Sequence, residues 1–149
     1  MNERKNLTAK ETFTLAFQNQ QKNNLKVAEN LYNEILKTNP NHFESIFLLG
    51  TLSLQTKNFN RAIQLLNQAI QIQPNHVDSH YNLGAVFQQL GEHQKAITCY
   101  QLVIQINANY IKAYNNLGTI FEDLGDYQKA ESYFQKILEI QPNHMDTYY

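Results

Sequence analysis

The chain of 149 residues has no tryptophan, one cysteine, three prolines and five glycines. It also lacks any apolar run long enough for a signal peptide or a membrane span, and the start, Met1 to Phe17, carries Arg4 and Lys5 without one. The lone thiol, Cys99, has no partner for a disulfide within the chain, which fits a reducing compartment. Charged residues make up 17% and sum to −1, so there is no cationic excess with which to hold phosphates. Nucleic acid and membrane are therefore poor partners, and a cytoplasmic location is expected. Asparagine and glutamine are abundant, yet they alternate with regularly spaced apolar residues and read as solvated helix faces and caps.

What is present is a period. Pro40, Pro74 and Pro142 share one phase of a 34-residue repeat, with Ala108 in the remaining place. The units are 9–42, 43–76, 77–110 and 111–144. Their seventh position reads Leu15, Leu49, Leu83, Leu117, and the eighth Ala16, Gly50, Gly84, Gly118. Further on come Ala28, Ala62, Ala96, Ala130, then Tyr32, Leu66, Tyr100, Phe134. Glycine inside a helix costs about 1 kcal/mol relative to alanine, so three glycines in phase predict a close helix crossing. Each unit predicts two helices, as in Val77 to Gln89 and His93 to Ile106. The first carries the stripe Leu83, Val86, Phe87, Leu90, and the second Ala96, Ile97, Tyr100, Val103, Ile104. Gly91 and Gly125, and after them Asn23, Asn24 and Asn58, suit a left-handed helix end. Asn41, Asn75, Asn109 and Asn143, each three residues ahead of Glu44, Asp78, Lys112 or Asp146, resemble capping boxes. The third junction has Ala108 for proline and Lys112 for the acid, and is expected to be the least restrained.

The Leu-Gly pairs, the alanine, the large apolar residue and the proline in phase over residues 9 to 144 resemble the tetratricopeptide repeat family. The family's tryptophan position holds Thr12, Ile46, His80 and Tyr114 instead. The resemblance implies an all-α fold, a right-handed superhelix (α-solenoid) of stacked helix-turn-helix repeats forming a single domain over 1–149. Residues 1–8 precede the repeats, and 145–149 (Met145, Asp146, Thr147, Tyr148, Tyr149) begin a fifth, so the chain is expected to be a fragment of a longer protein.

In this family the first helices line a concave groove, at repeat positions 2, 5, 6, 9, 12 and 13. Carried over, these positions place Phe13, Phe17 and Phe47 at an apolar amino end, Tyr81, Asn82 and Gln89 in the middle, and Asn115 and Asn116 with acidic Glu122 and Asp123 beyond. Asn82 and Asn116 are the sharpest candidates. A side-chain amide both donates and accepts, so it can pair with a peptide backbone without reading side chains. Repeats three and four resemble those of O-linked N-acetylglucosamine transferase-like bacterial proteins, where such asparagines form a ladder. A lysine and asparagine clamp for chaperone tails does not carry over, because its positions hold Phe13 and Phe17, Phe47 and Thr51, or Tyr81 and Ala85.

Catalytic signals are missing. His42, His76 and His144 recur one repeat apart, so they spread out and do not converge on a metal. Cys99 has no local histidine or helix start to activate it, Glu122 and Asp123 point in different directions from one helix, and there is no phosphate loop. The expectation is a noncatalytic scaffold with no cofactor and no metal, binding an extended peptide or partner protein. The alternatives are self-association, as a homo-oligomer through an uncovered carboxyl end, or substrate recruitment for a following glycosyltransferase or sulfotransferase.

Overall fold

A computed structural model of the chain describes residues 7–142. Eight helices follow in order: α1 (Ala9–Gln21), α2 (Leu25–Thr38), α3 (Phe43–Gln55), α4 (Phe59–Ile72), α5 (Val77–Gln89), α6 (His93–Ile106), α7 (Ile111–Asp123) and α8 (Tyr127–Ile140). No strand occurs among the described residues. The helices form antiparallel pairs, one per repeat, and the chain divides into two compact units, Met1–Pro74 and Asn75–Tyr149. Expectations that fall on Asn143, His144 and Met145 to Tyr149 lie outside the described residues.

In the first unit the core joins Ala16, Ala28 and Tyr32 of the first pair to Ile46, Leu49, Leu52, Leu65 and Ala69 of the second. In the second unit Ala96, Ile97, Tyr100 and Val103 of α6 meet Ala113, Leu117, Ile120 and Phe121 of α7. These are the stripes that a 3.6-residue period lays on one helix face. The family's tryptophan position is a packing position here too, since Thr12, Ile46, His80 and Tyr114 are all buried.

The glycines mark the crossings. A Cβ built on Gly84 would lie 2.8 Å from Cε1 of Tyr100, one on Gly118 would lie 2.5 Å from Cε1 of Phe134, and one on Gly50 would lie 3.2 Å from Leu66. Helix and partner thus approach within the thickness of a methyl group, with the large residue of the second helix filling the place of the missing side chain.

Two features of the turns differ from expectation. Left-handed backbone falls at Asn23 (φ 63), Lys57 (φ 59), Gly91 (φ 74) and Gly125 (φ 78), four residues in one phase. Asn24 and Asn58 are instead the N-caps of the following helices, with φ of −84 and −86. Repeat geometry fixes where the chain must reverse, and Lys57 adopts the strained conformation because it occupies that place.

The second difference concerns the helix starts. Asn41 and Asn75 do not form capping boxes, because the N-caps are the next residues, His42 and His76. Each histidine Nδ1 accepts the backbone N–H of a serine three residues on, Ser45 or Ser79, at 3.2 Å and its hydroxyl at 2.7 Å. At the third junction Asn109 gives way to Tyr110, which has no side-chain cap bond. That junction is nonetheless tied: the Tyr114 hydroxyl donates to the carbonyl of Ala108 at 2.8 Å, and the Tyr110 hydroxyl donates to Asp78 Oδ1 at 2.8 Å. Tyrosine hydroxyls restrain the segment where proline and an acid are missing.

Candidate partner-binding site

In the second unit a groove of about 560 Å³ runs beside α7. Tyr81 from α5 and Lys112, Asn115 and Asn116 from α7 give it polar groups, while Ile111, Phe134, Ile137 and Leu138 form an apolar wall. The α7 residues point there because positions 1, 2, 5 and 6 of the helix lie on the side away from its buried stripe of Ala113, Leu117 and Ile120.

A hydrogen-bond relay orders the polar side. The buried Tyr100 hydroxyl donates to Gln88 Oε1 at 2.8 Å, so its single proton is committed and its oxygen must accept. It accepts from Asn116 Nδ2 at 3.2 Å, and the same nitrogen donates to the Tyr81 hydroxyl at 3.1 Å. The amide orientation of Asn116 is therefore fixed by the network, with both of its N–H groups occupied. Among the described residues, nothing accepts the Tyr81 hydroxyl proton and nothing donates to Asn116 Oδ1. Burial raises the Tyr100 hydroxyl well above the ordinary tyrosine range, with Tyr81 adding to the effect and Asn116 opposing it. The ring of Tyr81 is held against Tyr100 and Tyr110, at centroid distances of 5.6 and 5.2 Å.

The other sequence candidates are distributed differently. Asn115 and Gln89 are exposed, and Asn82 is half-buried on α5. In the first unit Phe13 and Phe47 are half-buried and pack against the core. Phe13 sits edge-on to His42 at 5.6 Å and against Tyr32 at 6.2 Å, and Phe47 stacks on Phe43 at 6.3 Å. Phe17 is 39% exposed, the most accessible of the three. Gln20 and Gln88, at position 12 of repeats one and three, are acceptors for Tyr32 and Tyr100, and Gln20 also donates to Gln55 at 3.2 Å.

Sequence reasoning missed Tyr100 as a polar member of the site, treating it only as an apolar stripe residue. A signal was available. Tyrosine at that position coincides with glutamine twelve residues earlier in repeats one and three, whereas Leu66 pairs with Leu54 and Phe134 with Glu122.

Burial pushes the Cys99 thiol up to about 11, which holds it protonated beside α5. No helix is long and apolar enough to cross a membrane, and no cluster of three metal-ligating side chains occurs, both among the described residues.

Comparison with known proteins gives the family. Residues 76–143 match the family described as "Tetratricopeptide repeat", and residues 18–103, more than half of the chain, match the repeat-bearing family described as "Anaphase-promoting complex, cyclosome, subunit 3". No curated protein sequence matches the chain. Among solved structures it is similar to MamA, at 26% identity and a TM-score of 0.87 over 93% of this chain and 81% of that one. A form of MamA from Desulfovibrio magneticus is 20% identical, with a TM-score of 0.86 over 91% of this chain and 77% of that one. The helical pairs, the glycine crossings and these matches agree: the chain belongs to the tetratricopeptide repeat family.

Proposed function

We propose that the chain is a noncatalytic interaction scaffold that binds an extended peptide segment of a partner protein on the first-helix face of its repeats. Asn116 and Tyr81 form the polar centre of this site. The family and its helical repeats support the scaffold role, and one observation carries the finer reading. The unclaimed Tyr81 proton and the unclaimed Asn116 Oδ1 form a donor and an acceptor side by side, the complement of one peptide C=O and N–H. Asn82 supplies a further amide on α5, Asn115 an exposed amide, and Gln89 an exposed reserve at the end of α5. In the first unit Phe17, with Phe13 and Phe47, offers apolar anchors.

A pair of neutral hydrogen bonds contributes roughly 1 to 3 kcal/mol, so binding through this centre alone is weak and depends on anchors for more. Selection of peptides from a displayed random library tests the reading. Peptides enriched on the wild type should lose retention on Tyr81→Phe, which removes only the donor, and on Asn82→Ala. Enrichment indifferent to both substitutions would refute the site.

The resemblance of residues 77 to 144 to transferase repeats rests on sequence alone, so a recruiting role ahead of a catalytic domain is an extension of this proposal.

A further inference from the structure

Below the bond from Asn116 to Tyr81, α5 and α7 present a row of small side chains that ends on an acid. Along α7, Asn116, Thr119 and Asp123 share one helix face, and along α5 Tyr81, Ala85 and Gln88 do the same. Ala85 and Thr119 are both half-buried, one on each helix, and leave a shallow trough between them. The Thr119 hydroxyl donates to the Asn115 carbonyl at 3.0 Å, so it is spent on its own helix. At the foot of the trough is Asp123, exposed and without an ion pair or hydrogen bond among the described residues. The cations of the neighbouring helices are committed elsewhere, Lys95 to Glu92 at 2.7 Å and Lys129 to Asp126 at 3.8 Å.

The first unit shows the same place closed. There the equivalent residues are Gln20 and Gln55, whose side chains join α1 to α3 by a hydrogen bond of 3.2 Å, and Phe17 takes the position of Ala85. In the second unit the pair is Gln88 and Asp123, and no bond between them occurs. A neutral, bridged floor in one unit is thus an open and acidic one in the other.

The field along the trough has a direction. Both helices end at its foot, α5 at Gln89 and α7 at Asp123, and a helix C-terminus adds partial negative charge to that of the carboxylate. Lys112 lies at the opposite end of α7, about 16 Å up the axis. From Asn116 to Asp123 the axis advances about 10 Å. A lysine or arginine stem with its ion-pair contact covers that length, laying its methylenes over Ala85 and Thr119 and its charge on Asp123.

We infer that the extended peptide taken by the second unit is basic: the residue held at Tyr81 and Asn116 is a lysine or arginine whose side chain runs down the trough to Asp123. The inference rests on the reading of Tyr81 and Asn116 as the polar centre and adds Asp123 as the residue that selects among peptides.

The test uses three capped glycine pentapeptides with lysine, norleucine or glutamate at the centre, titrated into the full chain and followed by amide NMR. The lysine peptide should shift the Ala85, Thr119 and Asp123 signals, with a Kd about two- to fivefold below that of the norleucine peptide, the range of an exposed ion pair. The glutamate peptide should bind most weakly. Asp123→Asn, or added salt, should remove the lysine advantage and leave the norleucine Kd unchanged. Glu131→Gln, which removes an exposed acid on α8, should change none of the three. Tyr81→Phe should weaken the lysine and norleucine peptides alike. Equal affinity for the three peptides, or a lysine advantage that survives Asp123→Asn, would overturn the inference and leave the polar centre standing. Absence of shifts with every peptide, or indifference of them all to Tyr81→Phe, would overturn the polar centre and the inference with it. Circular dichroism shows whether Asp123→Asn is folded, and Asp123→Lys, which should favour the glutamate peptide, is the second variant if it is not.

Discussion

The Asn116 side-chain nitrogen on α7 lies 3.2 Å from the buried hydroxyl of Tyr100 on α6, so an amide read from sequence as a ligand group also binds two repeats together. A substitution there has two effects at once. Asn116→Ala should lower stability by about 1 to 3 kcal/mol, because it removes two hydrogen bonds and leaves a buried hydroxyl oxygen without a donor. Urea unfolding measures this. Asn115→Ala, at an exposed site, should leave the midpoint unchanged, and equal midpoints for the two variants would show that the bond to Tyr100 contributes nothing.

Gly84 on α5 faces the other side of the contact, the ring of Tyr100 on α6. Gly84→Ala gains about 1 kcal/mol of helix propensity, yet its Cβ would meet the fully buried ring at 2.8 Å. Repacking costs about 1 to 3 kcal/mol, so net destabilisation is expected. Gly84→Ala combined with Tyr100→Leu, the pairing closest to Gly50 with Leu66, should recover part of the steric loss. Thermal unfolding of the single and double variants checks it, and a stabilised single variant would contradict the tight crossing.

Lys57 holds φ at 59 where the other repeats have asparagine or glycine. Lys57→Gly should stabilise the first unit by roughly 0.5 to 1 kcal/mol, the relief of left-handed backbone less the entropy glycine adds to the unfolded chain. A lower unfolding midpoint would mean that the lysine side chain makes a compensating contact.

The His76 cap makes stability depend on pH. Nδ1 of His76 can accept the Ser79 N–H only when unprotonated, and burial lowers its folded pKa, against the pull of Asp78 and with help from His80. A base whose folded pKa lies below its unfolded value of about 6.5 leaves stability intact above that pH. Stability is then lost as pH falls through 6.5 toward the folded value. Melting temperatures from pH 7.5 to 5 should fall, and His76→Asn, which caps without titrating, should flatten the slope. An unchanged slope would remove the cap from the account.

Cys99 is buried, with its thiol pushed up to about 11. Labelling with a thiol reagent near neutral pH should be slow in the native protein and fast in denaturant. Rapid native labelling would show that α6 opens from α5.

The helices and crossings were legible in the sequence because they follow from periodic burial. Val77 to Gln89 and His93 to Ile106 stand as read, and Gly50, Gly84 and Gly118 face large side chains as their phase required. Caps and polar contacts were less legible because they turn on one-residue differences and on hydroxyl protons. Histidine displaced asparagine as the cap because the helix begins one residue later, which a repeat pattern leaves undetermined. Tyr100 looked like an apolar stripe residue, since only its ring contributes to the period while its hydroxyl carries the network. Phe13 and Phe47 shared a sequence phase with true surface positions, yet neighbouring aromatic rings draw them toward the first unit's core.

The tether from Tyr114 to the Ala108 carbonyl has a consequence for assembly. A proline ring stiffens its linker before any helix exists, whereas a hydroxyl tether tightens only after α7 is in place. The connection between the third and fourth hairpins therefore begins slack, and its rigidity is a product of folding where its siblings start with part of it in hand.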